Sequence, residues 1–85
     1  MAKDQTMHVK IYAPFRTYFD GQAISLSAIN KTGPFDVLPG HKNFMTLLIP
    51  CVLTVGATNK SDFKMKVDHG VLHVKANEVT AFLDV

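Results

Sequence analysis

Four histidines are the side chains best suited to chemistry near neutral pH, because imidazole binds metals and exchanges protons there. They are His8, His41, His69 and His73. A zinc site needs three or four converging ligands. His8 and His73 lie in separate stretches of alternating polar and apolar residues, and His69 adjoins Gly70. Nothing in this spacing brings the imidazoles together, so the sequence predicts no metal site and histidines that face solvent or cap turns.

Nucleophilic catalysis needs a nucleophile, a base and a group that orients the base. Asp68 and His69 are neighbours, but adjacent residues on a strand point to opposite faces, so they are badly placed to pair. Ser61, the nucleophile that this arrangement would use, lies in a polar loop. Cys51 is the single cysteine, in an apolar stretch, and we interpret it as a small buried hydrophobe. With no G-x-S-x-G, P-loop or G-x-G-x-x-G motif, we expect no catalytic residue and no cofactor, and a protein that is not an enzyme.

The size and charge of the chain narrow the classes of function that remain. The chain has 85 residues, 47% of them hydrophobic, and a net charge of +2, which is enough for one domain with one core. Its nine basic residues are scattered and its aromatic residues are spread along the chain, whereas a nucleic-acid surface concentrates both. One cysteine cannot form an internal disulfide, and neither a signal-peptide core nor a run of about 20 apolar residues is present. We therefore expect an intracellular chain without nucleic-acid binding, whose membrane contact is indirect.

The dominant sequence period is two, which predicts β-strands with one face in the core. Apolar residues alternate with polar ones in the ranges 7–11, 24–28, 63–67 and 79–83. In the last range the outward set includes Phe82, so we expect that strand to be covered on both faces. A sustained stripe of period 3.6, the mark of an amphipathic helix, is missing.

Turn signals separate these stretches at short intervals. They are Asp20-Gly21, Thr32-Gly33-Pro34, Pro39-Gly40, Asn59-Lys60-Ser61-Asp62, Gly70 and Ala76-Asn77-Glu78. Asp20-Gly21 predicts a tight hairpin, since glycine tolerates the positive φ of such turns. Residues 40–48 have room for one short helical turn. Many short strands with frequent turns predict an all-β sandwich or flattened barrel.

The most distinctive stretch runs from Gly33 to Pro50 and contains a Leu-Pro-Gly-His turn. It resembles the N-terminal β-domain of the epsilon subunit of F-type ATP synthase, the subunit called delta in mitochondria. Three further stretches resemble that family in the same order: residues 9–21 before it, and residues 68–74 and 77–84 after it. The collinear order covers nearly the whole chain. This sequence departs from the family pattern at several positions, among them Pro34, where the family often has an acidic residue.

The resemblance implies a flattened β-sandwich of about ten short, mostly antiparallel strands. It also implies a non-catalytic central-stalk subunit, which binds the gamma subunit and contacts the c-ring, and so couples ion translocation to ATP synthesis. Such a subunit is a peripheral part of the complex at the cytoplasmic face of the inner (cell) membrane. The implied contact residues are Lys31, Gly33, Pro34, Asp36 and His41, and the implied structural turn residues are Pro39, Gly40 and Gly70.

The family continues into a C-terminal helical hairpin, for which residues 1–85 have no counterpart. We expect a single domain over residues 1–85, either a naturally short subunit or an isolated domain, without the regulatory inhibition that those helices exert in the family. The alternative function is a small β-barrel that binds single-stranded nucleic acid or a metal ion.

Overall fold

The computed structural model describes residues 6–40, 42–57 and 62–83. These residues form eight β-strands and no helix, somewhat fewer strands than the ten or so expected. The strands are β1 (Met7–Ala13), β2 (Arg16–Asn30), β3 (Gly33–Val37), β4 (Phe44–Leu48), β5 (Cys51–Ala57), β6 (Phe63–Val67), β7 (Gly70–Lys75) and β8 (Glu78–Leu83). Hydrogen bonds join them in the order β4-β7-β8-β1-β2-β5-β6, with β3 also beside β2. The pairing of β1 with β8 is parallel and the other pairings are antiparallel.

The long strand β2 belongs to both halves of this curled sheet. Its first part, from Arg16 to Ala23, pairs with β1, and its second part lies between β3 and β5. The register shifts between Ala23 and Ser25, and an irregularity of this kind bends a strand and increases its twist. The sheet therefore folds over a single core, with β4-β7-β8-β1-β2 on one side and β3-β2-β5-β6 on the other, as in a β-sandwich.

Buried apolar side chains from all eight strands fill that core. On β4 the buried residue is the last one, Leu48. Those with no exposed surface include Val9, Ile11, Leu26, Val37, Leu53, Leu72 and Leu83. Aromatic pairs link strands that do not hydrogen-bond: Phe19 with Phe63, with ring centroids 5.2 Å apart, and Phe35 with Phe44, 5.8 Å apart. No polar side chain is buried in the described part of the chain, so the core is held by apolar packing.

Some local predictions were wrong. Asp20-Gly21 lies inside β2, where Asp20 pairs with Lys10, and the β1–β2 turn is instead Pro14-Phe15. Gly21 does not have a positive φ, so long-range strand pairing overrides the local turn signal. Phe44–Leu48 forms strand β4 rather than a helical turn, because it pairs along its length with β7.

The bulge in β2 also changes which of its side chains are buried. Alternation predicted Ile24, Leu26 and Ala28 on one inward face, but Ile24 is 51% exposed while Ala23 is buried. The extra residue between Ala23 and Ser25 shifts the inward set by one position. In β1, β6 and β8 the alternation holds as predicted.

Candidate protein-binding surfaces

An apolar row crosses the outer face of the first half of the sandwich. Strand pairing places Leu47 beside Val71, Val71 beside Phe82, and Phe82 beside Tyr12. Met45 flanks Leu47 on β4, and we call these five side chains the apolar row. Leu47 is 66% exposed, Met45 65% and Phe82 39%, and the Phe82 and Tyr12 rings meet edge to face at 5.2 Å. A contiguous exposed apolar set of this kind is typical of a surface that another protein covers.

The middle of the outer face of the second half is polar, although Val52 on the same face is 51% exposed. Its register aligns Asp36 on β3 with Ser27 on β2, Ser27 with Thr54 on β5, and Thr54 with Lys64 on β6. Ser27 Oγ donates a hydrogen bond of 2.7 Å to Asp36 Oδ1. The larger contiguous set of exposed apolar side chains therefore lies on the outer face of the first half.

The β2–β3 hairpin carries most of the residues predicted to contact partners. Lys31 and Thr32 form its turn, and Gly33 has φ = 122°, a conformation that side chains with Cβ adopt only with strain. Asn30 Oδ1 accepts hydrogen bonds from the Thr32 backbone N–H at 2.9 Å and from Thr32 Oγ1 at 2.7 Å. These bonds fix the turn that presents Lys31, which is exposed.

Pro34 and Asp36 are both exposed and lie on the same face of β3. The structure thus gathers Lys31, Gly33, Pro34 and Asp36 in one short hairpin. His41 lies outside the described residues, so its predicted contact stays a prediction.

A shallow depression connects this hairpin to the apolar row. It has a volume of about 320 Å³, is open to solvent, and is lined by Asn30, Lys31, Thr32, Met45, Thr46 and Leu47. Asn30 Nδ2 donates to Thr46 Oγ1 at 3.0 Å, and the Ile49 N–H donates to the Ile29 carbonyl at 3.2 Å. These bonds hold the end of β2 against β4, so the polar hairpin and the apolar row have a fixed relation to each other.

The predicted turn residues have different roles. Pro39-Gly40 forms a turn, with φ = 85° at Gly40, and the Gly40 N–H donates to Asn77 Oδ1 at 2.9 Å. Gly70 is not a turn residue: it begins β7, paired with Leu48 and Leu83, after the bend at Asp68-His69. A Cβ at Gly70 would lie 2.8 Å from the Phe82 carbonyl oxygen, so close packing rather than turn geometry requires glycine there.

One cluster that the sequence did not predict lies on the same outer face as the apolar row. His8 Nε2 is 2.5 Å from Asp20 Oδ1, and His8 Nδ1 is 3.0 Å from Glu78 Oε1. The hydrogen bond to Asp20, and then that to Glu78, raise the pKa of His8 above its usual 6.5. The cluster was missed because Asp20 was assigned to a turn, and the pairing of residues 70 positions apart has no local signal.

The two carboxylates contact different ring nitrogens, so they do not converge on a point where a cation would sit. In residues 6–40, 42–57 and 62–83 no group of three or more histidine, cysteine or acidic side chains is arranged to hold a metal ion. His69 and His73 are exposed. Cys51, predicted to be buried, is half-buried with its Sγ 4.0 Å from the Ile29 carbonyl.

The decisive comparison is with a family described as the β-sandwich domain of the ATP synthase delta/epsilon chain, which matches residues 6–85. The chain belongs to this family. The resemblance inferred from the Gly33–Pro50 stretch is therefore confirmed, and so is the all-β sandwich class.

Curated relatives of the chain are epsilon chains. "ATP synthase epsilon chain 2" of Paraburkholderia xenovorans is 39% identical over 70 residues, covering 81% of this chain and 50% of the relative. The ATP synthase epsilon chain of Psychrobacter arcticus is 30% identical over 79 residues, covering 93% of this chain and 57% of the relative. The chain thus spans about half the length of the curated relatives that it matches.

Two solved assemblies contain chains of the same fold. One is the Euglena gracilis mitochondrial ATP synthase, OSCP/F1/c-ring, with a TM-score of 0.86, 15% identity, and coverage of 98% of this chain and 53% of the other. The second is the central stalk/c-ring of the Tetrahymena thermophila mitochondrial ATP synthase, with a TM-score of 0.79, 19% identity, and coverage of 99% and 67%. At this identity the likeness establishes the fold. Within the described residues, no helix is long and apolar enough to cross a bilayer.

Proposed function

We propose that this chain is a non-catalytic central-stalk subunit of an F-type ATP synthase, which binds gamma and contacts the c-ring. It then works as a peripheral part of the complex at the cytoplasmic face of the inner (cell) membrane, and couples ion translocation to ATP synthesis. The observation that carries the proposal is the family match over residues 6–85. The solved chains of the same fold come from assemblies that contain the c-ring, one of them also described as the central stalk, which supports the proposal.

The apolar row is the surface that we assign to gamma. Stable protein interfaces have an apolar, aromatic-rich centre surrounded by polar groups, and Leu47, Val71, Phe82 and Tyr12 supply such a centre across four strands. Because Met45 and Leu47 are largely exposed, covering them releases water from apolar surface, which favours association.

The β2–β3 hairpin is the surface that we assign to the polar loops of the c-ring. Lys31 offers a positive charge at the turn and Asp36 a negative one on β3, and both side chains are exposed. Pro34, whose ring fixes φ, restricts the backbone of the segment between them. His41 belongs to this proposed contact by the family resemblance. The depression between Lys31 and Leu47 places the two assigned surfaces side by side.

The gamma assignment is tested by capture of purified gamma with Leu47→Glu. A charge placed in the centre of an apolar interface costs on the order of 2 kcal/mol or more, so we expect at least a ~30-fold loss of affinity. Val52→Glu is the matched control, since Val52 is also an exposed apolar residue of a strand but lies on the outer face of the second half. Equal affinity of both variants and the parent for gamma would contradict the assignment.

The ring assignment is tested by reversing a charge, Asp36→Lys, and measuring binding of the gamma complex to isolated c-ring. Asp62→Lys makes the same charge change at an exposed acidic residue just before β6, which β2 and β5 separate from β3. We expect Asp36→Lys to change c-ring affinity and salt dependence, with Asp62→Lys like the parent. If Asp36→Lys leaves both unchanged, this contact is wrong.

A further inference from the structure

His8 occupies a junction between three strands. Its strand β1 pairs with β2 on one edge and with β8 on the other, and His8 lies opposite Gln22 and Glu78 in the two registers. Its Nε2 faces Asp20 Oδ1 at 2.5 Å, and its Nδ1 faces Glu78 Oε1 at 3.0 Å. One imidazole ring thus bridges a carboxylate of β2 and a carboxylate of β8.

The number of protons on the ring decides how many of these bonds exist. A neutral imidazole has one N–H and one lone pair, whereas the imidazolium has two N–H donors. With a carboxylate oxygen at each nitrogen, only the imidazolium donates in both directions. After deprotonation, one lone pair faces a carboxylate oxygen, and that contact becomes repulsive.

We propose that His8 is a pH-sensitive bridge between three strands. When protonated, its ring donates hydrogen bonds to both Asp20 of β2 and Glu78 of β8; when neutral, it keeps only one of these bonds. The contact affects strand pairing because the His8–Glu78 pair is the first in the parallel pairing of β1 with β8. Next to it, the His8 backbone N–H donates to the Asn77 carbonyl at 2.8 Å. Release of the side-chain bridge therefore loosens the end of the β1–β8 pair.

The charges around His8 come from β1, β2, β7 and β8 in the described part of the chain. Asp20 and Glu78 are the acidic groups, and Lys10 and Lys75 are the basic ones, placed opposite Asp20 and Glu78 respectively. The Lys10 Nζ lies 5.1 Å from the Tyr12 ring centroid. The hydrogen bonds to Asp20 and then Glu78 are the largest contributions, desolvation by burial opposes them, and the pKa of His8 is raised.

Because the pKa of His8 is raised, the sign of its effect on stability is defined. A pKa that is higher in the folded than in the unfolded chain means that the imidazolium stabilises the fold. The contribution is complete below the unfolded value of 6.5 and is lost as the pH rises through the higher folded value. Because Asp20 and Glu78 are exposed by 52% and 68%, solvent screening keeps the effect small.

The first test is an NMR titration of the imidazole resonances of the intact 85-residue chain, with the His8 signal identified by its loss in His8→Gln. We expect the His8 midpoint above 6.5, and a lower midpoint in Asp20→Asn and in Glu78→Gln. A His8 midpoint at or below 6.5, or one that neither carboxamide variant changes, would overturn the proposal.

The second test measures urea unfolding midpoints at about pH 5.5 and about pH 9, where the imidazole is charged and neutral respectively. The parent should lose stability between these pH values relative to His8→Gln. His73→Gln, an exposed histidine of β7, should follow the parent. Comparing the pH dependence of stability between the parent and each variant cancels the contribution of all titrating groups that the two share. If the unfolding midpoints of the parent and His8→Gln show the same pH dependence, the proposed bridge is refuted.

Discussion

Substitution of Gly70 by alanine tests the packing of the β7–β8 pair. A Cβ at this position would lie 2.8 Å from the Phe82 carbonyl oxygen and 3.0 Å from Leu83 Cδ2. The carbonyl belongs to the backbone of the neighbouring strand, and Leu83 is fully buried, so neither atom moves away without disturbing the core. Gly70 has no positive φ, so no backbone strain adds to the cost of this close approach.

The expected magnitude combines two opposing contributions. Adding a group to a well-packed site costs about 1–3 kcal/mol, while alanine in place of glycine restricts the unfolded chain and returns about 0.4–1 kcal/mol. The middle values of the two ranges give a net destabilisation of about 1.3 kcal/mol. For a domain of this size each kcal/mol lowers Tm by about 4–8 °C, so Gly70→Ala should melt about 5–10 °C below the parent.

Thermal unfolding followed by circular dichroism provides the measurement, and Gly21→Ala is the matched control. Gly21 also lies in a strand without positive φ, but a Cβ there would meet Phe19 at 3.8 Å, an ordinary contact. We expect Gly21→Ala to melt at or slightly above the parent temperature, since alanine lowers the entropy of the unfolded chain. A Gly70→Ala variant as stable as Gly21→Ala would refute the close-approach argument.

Two further substitutions test other parts of the fold. Leu26→Ala removes a side chain with no exposed surface and should lower the free energy of unfolding in urea by about 2–5 kcal/mol. Phe15→Ala, at a side chain that is 99% exposed, should leave this free energy unchanged. Similar costs for both substitutions would contradict the assigned core. Asn77→Ala removes the acceptor of the Gly40 N–H and should cost on the order of 1 kcal/mol, with Asn77→Asp retaining most of the stability; equal loss in both would show that the hydrogen bond contributes little.

The sequence alone determined the fold class and the family, because both depend on local and ordered signals. Period-two alternation in the ranges 7–11, 63–67 and 79–83 identifies which side chains enter the core. The collinear turn signals, above all the Gly33–Pro50 stretch, indicate the family that the comparison confirms. These features are written in neighbouring residues and need no knowledge of which strand pairs with which.

Tertiary structure decided every feature that depends on strand pairing. Asp20-Gly21 has the sequence of a turn, yet it lies within β2 because Arg16–Ala23, apart from an irregularity at Tyr18, pairs with β1. The apolar row and the His8 junction each join strands far apart in sequence, so no local window contains them. The energies of alternative registers differ through contacts made across the folded sheet, and only the assembled sandwich selects among them.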